Sequence, residues 1–210
     1  MKKYKAILFD FDNTIIDSGN FAKRYANEFL DKHPQIKTDA AKILKDIFVD
    51  DSENYSTQIK NEFNFSWVKY RELNPIKTFL EDKDTLKQLY QKGIKLGIIS
   101  RSRKEIVLRN LEKNNIIEYF EVIIGNANKP EPSYLIDALK TMNISNNDAL
   151  FIGDDPEDIE LGNNCNVDTA YILRNNDHAQ SVHNKIKDLI YKNNPTYVIS
   201  DLTKLLDTIN

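Results

Sequence analysis

Cysteine is nearly absent: Cys165 is the only one in a chain of 210 residues. An intramolecular disulfide is therefore excluded, and the lone thiol reads as a helix-packing group, because free cysteine behaves as a small buried hydrophobe. Histidine is scarce too. Of the three, His178 and His183 stand five apart, which does not place two ligands on one helical face. No apolar run approaches the roughly 20 residues needed to cross a bilayer, and Met1-Lys2-Lys3-Tyr4 leads into an apolar stretch without the core of a secretory signal. The expected location is the cytoplasm, with no membrane partner. Neither sign of charge dominates. The formal net charge is -3, and Lys and Arg are interspersed with Asp and Glu with no basic stripe, which argues against a nucleic-acid polymer as partner. Internal repeats and low-complexity tracts are also missing.

What remains is a pattern of short apolar runs that end in polar groups. Ala6-Ile7-Leu8-Phe9 is followed by Asp10-Phe11-Asp12-Asn13-Thr14. In an extended chain, residues i and i+2 share a side, so Asp10 and Asp12 face one small volume while Phe11 turns back to the core. Two like charges held that close need a cation or a proton between them. From residue 80 onward, apolar runs at Ile94 to Ile99, Glu121 to Ile124, Ala149 to Ile152, Thr169 to Leu173 and Tyr197 to Ile199 alternate with segments of helical character. The helices run from Asp82 to Lys92, stopping at Gly93, from Lys104 to Asn114, from near Pro132 to Met142, and onward from Pro156. Asp201 caps a closing helix that reaches Ile209. This alternation predicts an α/β fold of three layers, a parallel sheet between helices.

Residues 17–79 break the rhythm. Their apolar residues recur at helical spacing, as in Phe21, Tyr25, Phe29 and Ile43, Ile47, which predicts a small all-helical insertion after the first strand. Its aromatics Phe63, Phe65, Trp67 and Tyr70 read as internal packing. The expected division is a core of 1–16 and 80–210 with a helical subdomain at 17–79. The polar stretch 175–194 reads as a surface helix with loops.

Ligands of an open parallel sheet bind outside the carboxyl ends of its strands. Four polar clusters fall there: Asp10 to Thr14, Ser100, Lys129 within Asn128-Lys129-Pro130-Glu131-Pro132, and Asp154 with Asp155. In order and chemistry they resemble the haloacid dehalogenase-like superfamily, whose pattern is Asp-x-Asp-x-Thr, then Ser or Thr, then Lys, then Gly-Asp-x-x-x-Asp. Gly153-Asp154-Asp155-Pro156-Glu157-Asp158 supplies the last motif in full. The resemblance spans essentially the whole chain.

It implies a Rossmann-like core with a helical cap at the insertion, and phosphoryl transfer through an aspartyl phosphate. Asp10 would be the nucleophile and, with Asp154, a ligand of Mg²⁺, a hard cation suited to carboxylate oxygens. Asp12 would touch the metal through its backbone carbonyl, while its side chain serves as general acid and base. Lys129 would offset charge around Asp10. Ser100 would donate to phosphoryl oxygens, and Thr14 would sit at the substrate. Asp158 would orient Lys129 or a metal-bound water, and Asp155 fits either the metal or that supporting position. Three positions depart from the common pattern: Asn13 replaces a frequent glycine, Arg101 follows Ser100 where asparagine is common, and Gly162 stands where a small residue is usual. Asparagine tolerates unusual backbone angles. Arg101 has a planar fork able to reach a second anionic group; in the helical insertion Lys69 and Arg71, with Arg24, are further candidates for contacting an anionic substrate.

Within the superfamily, dehalogenases lack the second aspartate of the first motif, so Asp12 favours phosphoryl transfer over carbon–halogen cleavage. The expected activity is hydrolysis of a small phosphorylated metabolite. A sugar-phosphate mutase on the same scaffold, a receiver-type signalling domain and a phosphate-binding protein without turnover are the alternatives.

Overall fold

Ala6–Phe9 has no residue exposed to water and forms the first strand, β1, of a sheet in which every later apolar run finds a place. In the computed structural model, which describes residues 3–48, 50, 53–174 and 193–208, the others are β2 (Lys95–Ile99), β3 (Phe120–Ile124), β4 (Ala149–Gly153), β5 (Asp168–Ile172) and β6 (Tyr197–Ile199). Every pairing is parallel, in the order β3-β2-β1-β4-β5-β6. Phe9 at the end of β1 pairs with Ile98 on one side and Ile152 on the other. The chain winds outward from β1 through β2 to β3, then returns beside β1 with β4. That reversal opens the sheet at the carboxyl ends of β1 and β4.

Four helices among the described residues are interleaved with these strands: α4 (Asp82–Gln91), α5 (Lys104–Lys113), α6 (Ser133–Met142) and α7 (Pro156–Asn164). Ala6, Leu8 and Phe151 on one face of the sheet pack with Leu135, Leu139 and Met142 of α6 and Leu161 of α7. Ile7 and Phe9 alternate to the other face and are equally buried. Continuous apolar strands of this kind are what a parallel sheet covered by helices requires. Cys165 belongs to the same core. Gly162 permits a close approach of α7 to β5, since a Cβ there would lie 2.2 Å from Thr169 Cγ2. The last described helix, Thr203–Thr208, begins where Asp201 Oδ1 accepts the Thr203 amide at 3.0 Å.

The chain divides into two compact units, Met1–Asp17 with Lys77–Asn210 and, separately, Ser18–Ile76. The second consists of α1 (Ser18–Lys32), α2 (Ala40–Phe48) and α3 (Thr57–Leu73) around Tyr25, Phe29, Ile43, Ile47 and Phe63. The Tyr25 hydroxyl donates to the Phe63 carbonyl at 2.5 Å and meets Ser66 Oγ at 2.7 Å, so the buried phenol is satisfied. Trp67 and Tyr70 pack on Tyr25, with ring centroids at 5.1 and 5.2 Å. Phe65 does not follow its neighbours inward: it is 77% exposed. Two residues along a helix from buried Phe63 is a turn of about 200°, which carries Phe65 to the opposite face. Residues 175–192, most of the stretch read as a surface helix with loops, lie outside the described residues.

No helix among the described residues is long and apolar enough to cross a membrane.

Candidate active site

The Asp10 amide donates to the Ile152 carbonyl at 2.7 Å, extending the β1–β4 ladder by one residue and fixing the carboxylate at the strand end. The chain then turns sharply. Ile15 and Ile16 amides both return to the Phe11 carbonyl, at 2.9 and 3.1 Å, and Asn13 takes a left-handed φ of 55°. Phe11 and Thr14 are fully buried beneath the turn, whereas Asp12 is half-buried.

Lys129 reaches this point from the segment before α6. Its Nζ, almost fully buried, contacts Asp10 Oδ1 and donates to Asp158 Oδ1 at 2.7 Å. The second oxygen of Asp158 accepts the Asp155 amide at 3.1 Å, while Asp155 Oδ1 accepts the Glu157 amide at 2.9 Å. These reciprocal bonds form a capping box at the start of α7, with Pro156 in its first turn. Asp158 therefore starts a helix and anchors the lysine with one side chain. Gly153 makes room for it: a Cβ at that position would lie 2.1 Å from Asp158 Oδ2.

Asp10, Asp154 and Asp158 each bring a carboxylate oxygen within 4.8 Å of the others. Burial raises the Asp10 pKa to about 7, against the downward pull of Lys129 and with a further upward push from Asp158. Burial, then the charge of Asp10, also raises Asp154 well above the usual carboxylate range, and burial raises Asp158. For Lys129 burial works the other way, but the facing Asp10 and Asp158 outweigh it and the ammonium holds its proton more tightly than usual. Three acids share one lysine. A second positive charge, or protons, must complete the balance.

The donor set fits a hard divalent cation. Among the described residues, Asp158 has both oxygens engaged, but Asp10 has given only Oδ1 to Lys129, and Asp154 has given only Oδ1, which accepts the Thr14 hydroxyl at 3.3 Å. The remaining oxygens of Asp10 and Asp154 are hard ligands of the kind Mg²⁺ takes.

The other sequence candidates fall at defined places. Ser100 ends β2 beside β1, is buried, and accepts the Ser102 amide at 3.0 Å; α5 starts only at Lys104, so Ser100 does not cap it. Thr14, expected at the substrate, has its hydroxyl donating to Asp154 Oδ1 within the same cluster. Arg101 is exposed and faces Asp155, at 3.5 Å from Oδ2, and Glu157. Lys69 is exposed on α3, and Arg71 lies with its guanidinium carbon 5.5 Å from the Trp67 ring centroid. Both belong to the helical unit, whereas the Asp10 cluster is built within the strand-bearing unit alone.

The family model described as haloacid dehalogenase-like hydrolase matches residues 7–172, more than half of the sequence. The chain belongs to the haloacid dehalogenase-like hydrolases. Among relatives of this hydrolase, a protein named pyrophosphatase PpaX from Oceanobacillus iheyensis is 26% identical, over 98% of this chain and 96% of its own length. PpaX of Listeria welshimeri is also 26% identical, over 80% of this chain and 82% of its own. A solved haloacid dehalogenase-like hydrolase from Streptococcus pneumoniae superimposes with a TM-score of 0.74 at 17% identity, covering 99% of both chains.

Two residues of this haloacid dehalogenase-like hydrolase escape a sequence reading. Ser102 Oγ donates to Asp12 Oδ2 at 2.5 Å; the only signal was its place two residues beyond Ser100. Arg174, buried just after β5, donates to the carbonyls of Asn13 and Thr14 behind the turn. Nothing in its local sequence marks it.

Proposed function

We propose that this hydrolase is a Mg²⁺-dependent phosphatase, acting on a small phosphomonoester through a phosphoryl group carried transiently on Asp10. The observation that supports it is the cluster in which Lys129 bonds Asp10 and Asp158 while Asp154 brings a third carboxylate within reach of both. Such a site is built to receive one more cation together with an anionic group. Mg²⁺ would be held by carboxylate oxygens of Asp10 and Asp154 and by the Asp12 backbone carbonyl, and would supply the charge that lets a phosphoryl group enter among carboxylates.

Asp10 attacks phosphorus; the Asp10–phosphorus bond forms as the ester phosphorus–oxygen bond breaks. Lys129 lies against Asp10 Oδ1, where it favours the ionised carboxylate against the opposing effect of burial and faces charge that gathers on the phosphoryl oxygens. Asp158 holds the ammonium in place. Asp12 gives its proton to the departing alkoxide. It then takes a proton from the water that attacks phosphorus, the acyl–phosphate bond breaks, and inorganic phosphate leaves with Asp10 restored. Ser102 orients Asp12 for both transfers. Ser100 is assigned the phosphoryl oxygens, and Thr14 the orientation of Asp154.

The unit Ser18–Ile76 is assigned the part of a cap that excludes bulk water from the reaction, with Lys69, Arg71 and Arg101 the candidates for a second charge on the substrate. The relatives' names add inorganic pyrophosphate to the substrates to be tried. Cytoplasmic metabolites are the expected pool.

A phosphate-release screen over small monoesters and pyrophosphate, with Mg²⁺ and with chelator, tests the proposal. Mg²⁺-dependent release on at least one compound is expected; formation of an isomerised sugar phosphate in its place would identify a mutase, and a lasting phosphoprotein a receiver. Asp12→Asn should keep the fold and metal binding while losing about 10²- to 10⁴-fold in turnover. Wild-type turnover in that variant would remove Asp12 from the mechanism.

A further inference from the structure

The turn that presents Asp10 and Asp12 has two inward carbonyls, those of Asn13 and Thr14, and Thr14 has no contact with solvent. Buried carbonyls need donors. One side chain serves both: Arg174 Nε donates to Asn13 O at 3.4 Å, and Nη2 to Thr14 O. Nη2 also pairs with Asp82 Oδ2, itself fully buried. The other oxygen of Asp82 accepts the Leu202 amide at 3.2 Å. Phe79 stacks against the guanidinium, its ring centroid 3.9 Å from the guanidinium carbon, while Nη1 makes no hydrogen bond among the described residues. The arginine is thus held by Asp82 of α4, itself anchored by the Leu202 amide, and by the aromatic ring, and its donating edge meets the turn.

We infer that Arg174, held by Asp82 and Phe79, is a positioning residue that sets the Asp10–Thr14 turn and so aims Asp10 and Asp12 at the phosphoryl group. It touches no reacting atom. Its planar fork spans two successive carbonyls and a carboxylate at once, which a lysine ammonium on a flexible stem does not reproduce. Thr14 Oγ1 supports Asp154 from the same turn, so a shift of this backbone moves the nucleophile, the general acid and a carboxylate's support together.

The inference rests on the phosphatase reading where turnover is the readout, and the experiment separates the two. The variant is the double replacement Asp82→Asn with Arg174→Met, which leaves no charge buried alone and keeps an acceptor for the Leu202 amide. Arg174→Lys is measured beside it. Positioning predicts turnover lower by about 10²-fold in the double variant with KM held within about threefold, since a displacement on the order of 1 Å at reacting groups costs that much. Amide exchange across Phe11–Ile16 should accelerate in the same protein at a temperature well below its Tm. Arg174→Lys should retain the wild-type Tm more closely than the double variant yet still turn over slowly. Wild-type kcat in the double variant overturns the inference, as does lowered kcat with unchanged exchange in the turn. If the wild-type enzyme releases no phosphate from any compound, the phosphatase reading fails by itself, and the exchange measurement alone decides whether Arg174 holds the turn.

Discussion

Arg174 with Asp82, and Lys129 with Asp10, Asp154 and Asp158, are both buried ionic groups in the strand-bearing unit, but they are composed differently. The first is one cation to one anion, with the carboxylate's second oxygen satisfied by the Leu202 amide. The second sets one buried cation among three carboxylates, two of which keep an oxygen without a partner among the described residues. Burying charge is costly, and only a fully matched set repays much of that cost. A matched set holds backbone in place. An unmatched one is unstable toward protons, metal ions and anionic groups, which is the property a phosphoryl-transfer site needs.

Asp10→Asn breaks the contrast most directly. Turnover should fall by about 10⁴-fold or more, the scale seen when a covalent nucleophile is removed. In chelator the variant should melt no lower than wild type, because one of three crowded acids has lost its charge; a large destabilisation would mean Asp10 serves the fold. Lys129→Met leaves the three acids without a cation, and denaturant unfolding in chelator should show a loss of about 3–5 kcal/mol. Millimolar Mg²⁺ should recover much of it. No comparable rescue is expected for Arg174→Met, whose stranded partner Asp82 lies in the matched pair; equal rescue of both variants by Mg²⁺ would erase the distinction.

The two sets should also differ in pH response. Asp10 is raised to about 7 by burial, so the folded protein holds that proton more firmly than the unfolded chain does. The resulting stability is complete below the unfolded carboxylate range, near pH 4, and is lost as pH rises through about 7. Melting temperature in chelator should therefore decline over that interval, and Mg²⁺ should flatten the decline. The smallest effect is expected in the helical unit, at the aromatic cluster around Tyr25. Tyr25→Phe removes a hydroxyl that bonds the Phe63 carbonyl, and a cost of about 1 kcal/mol, insensitive to Mg²⁺, should appear in denaturant unfolding.

Much of this arrangement can be read from residues alone, for a physical reason. Strands of a covered parallel sheet are apolar on both faces, so Ala6–Phe9, Ala149–Gly153 and their neighbours stand out as uninterrupted runs, and their ends are marked where polar residues begin. The bounds expected for the six strands agree with the structure to within one residue at every end. Strand order was not readable, since pairing is a long-range property. The short 3₁₀ turns at Ile117–Tyr119 and Asn146–Asp148 carry no periodicity to betray them. Phe65 was misjudged because composition shows that aromatics pack but not which helical face each occupies. At the site, Asp10, Lys129, Asp154 and Asp158 each follow a recognisable strand or open a recognisable helix. Arg174 does neither: its importance lies in carbonyls 160 residues away in sequence, which no local pattern encodes.

The double duty of Asp158 has a consequence for how activity arises. Its carboxylate closes the first turn of α7 through the Asp155 amide and tethers the Lys129 ammonium through its other oxygen. A chain in which that helix has not yet nucleated lacks a fixed lysine, and a chain with the lysine fixed already has the helix. Catalytic competence should accordingly arrive all at once during refolding, with no dim, half-assembled stage, and fraying at this single helix end would silence the enzyme before the sheet itself came apart.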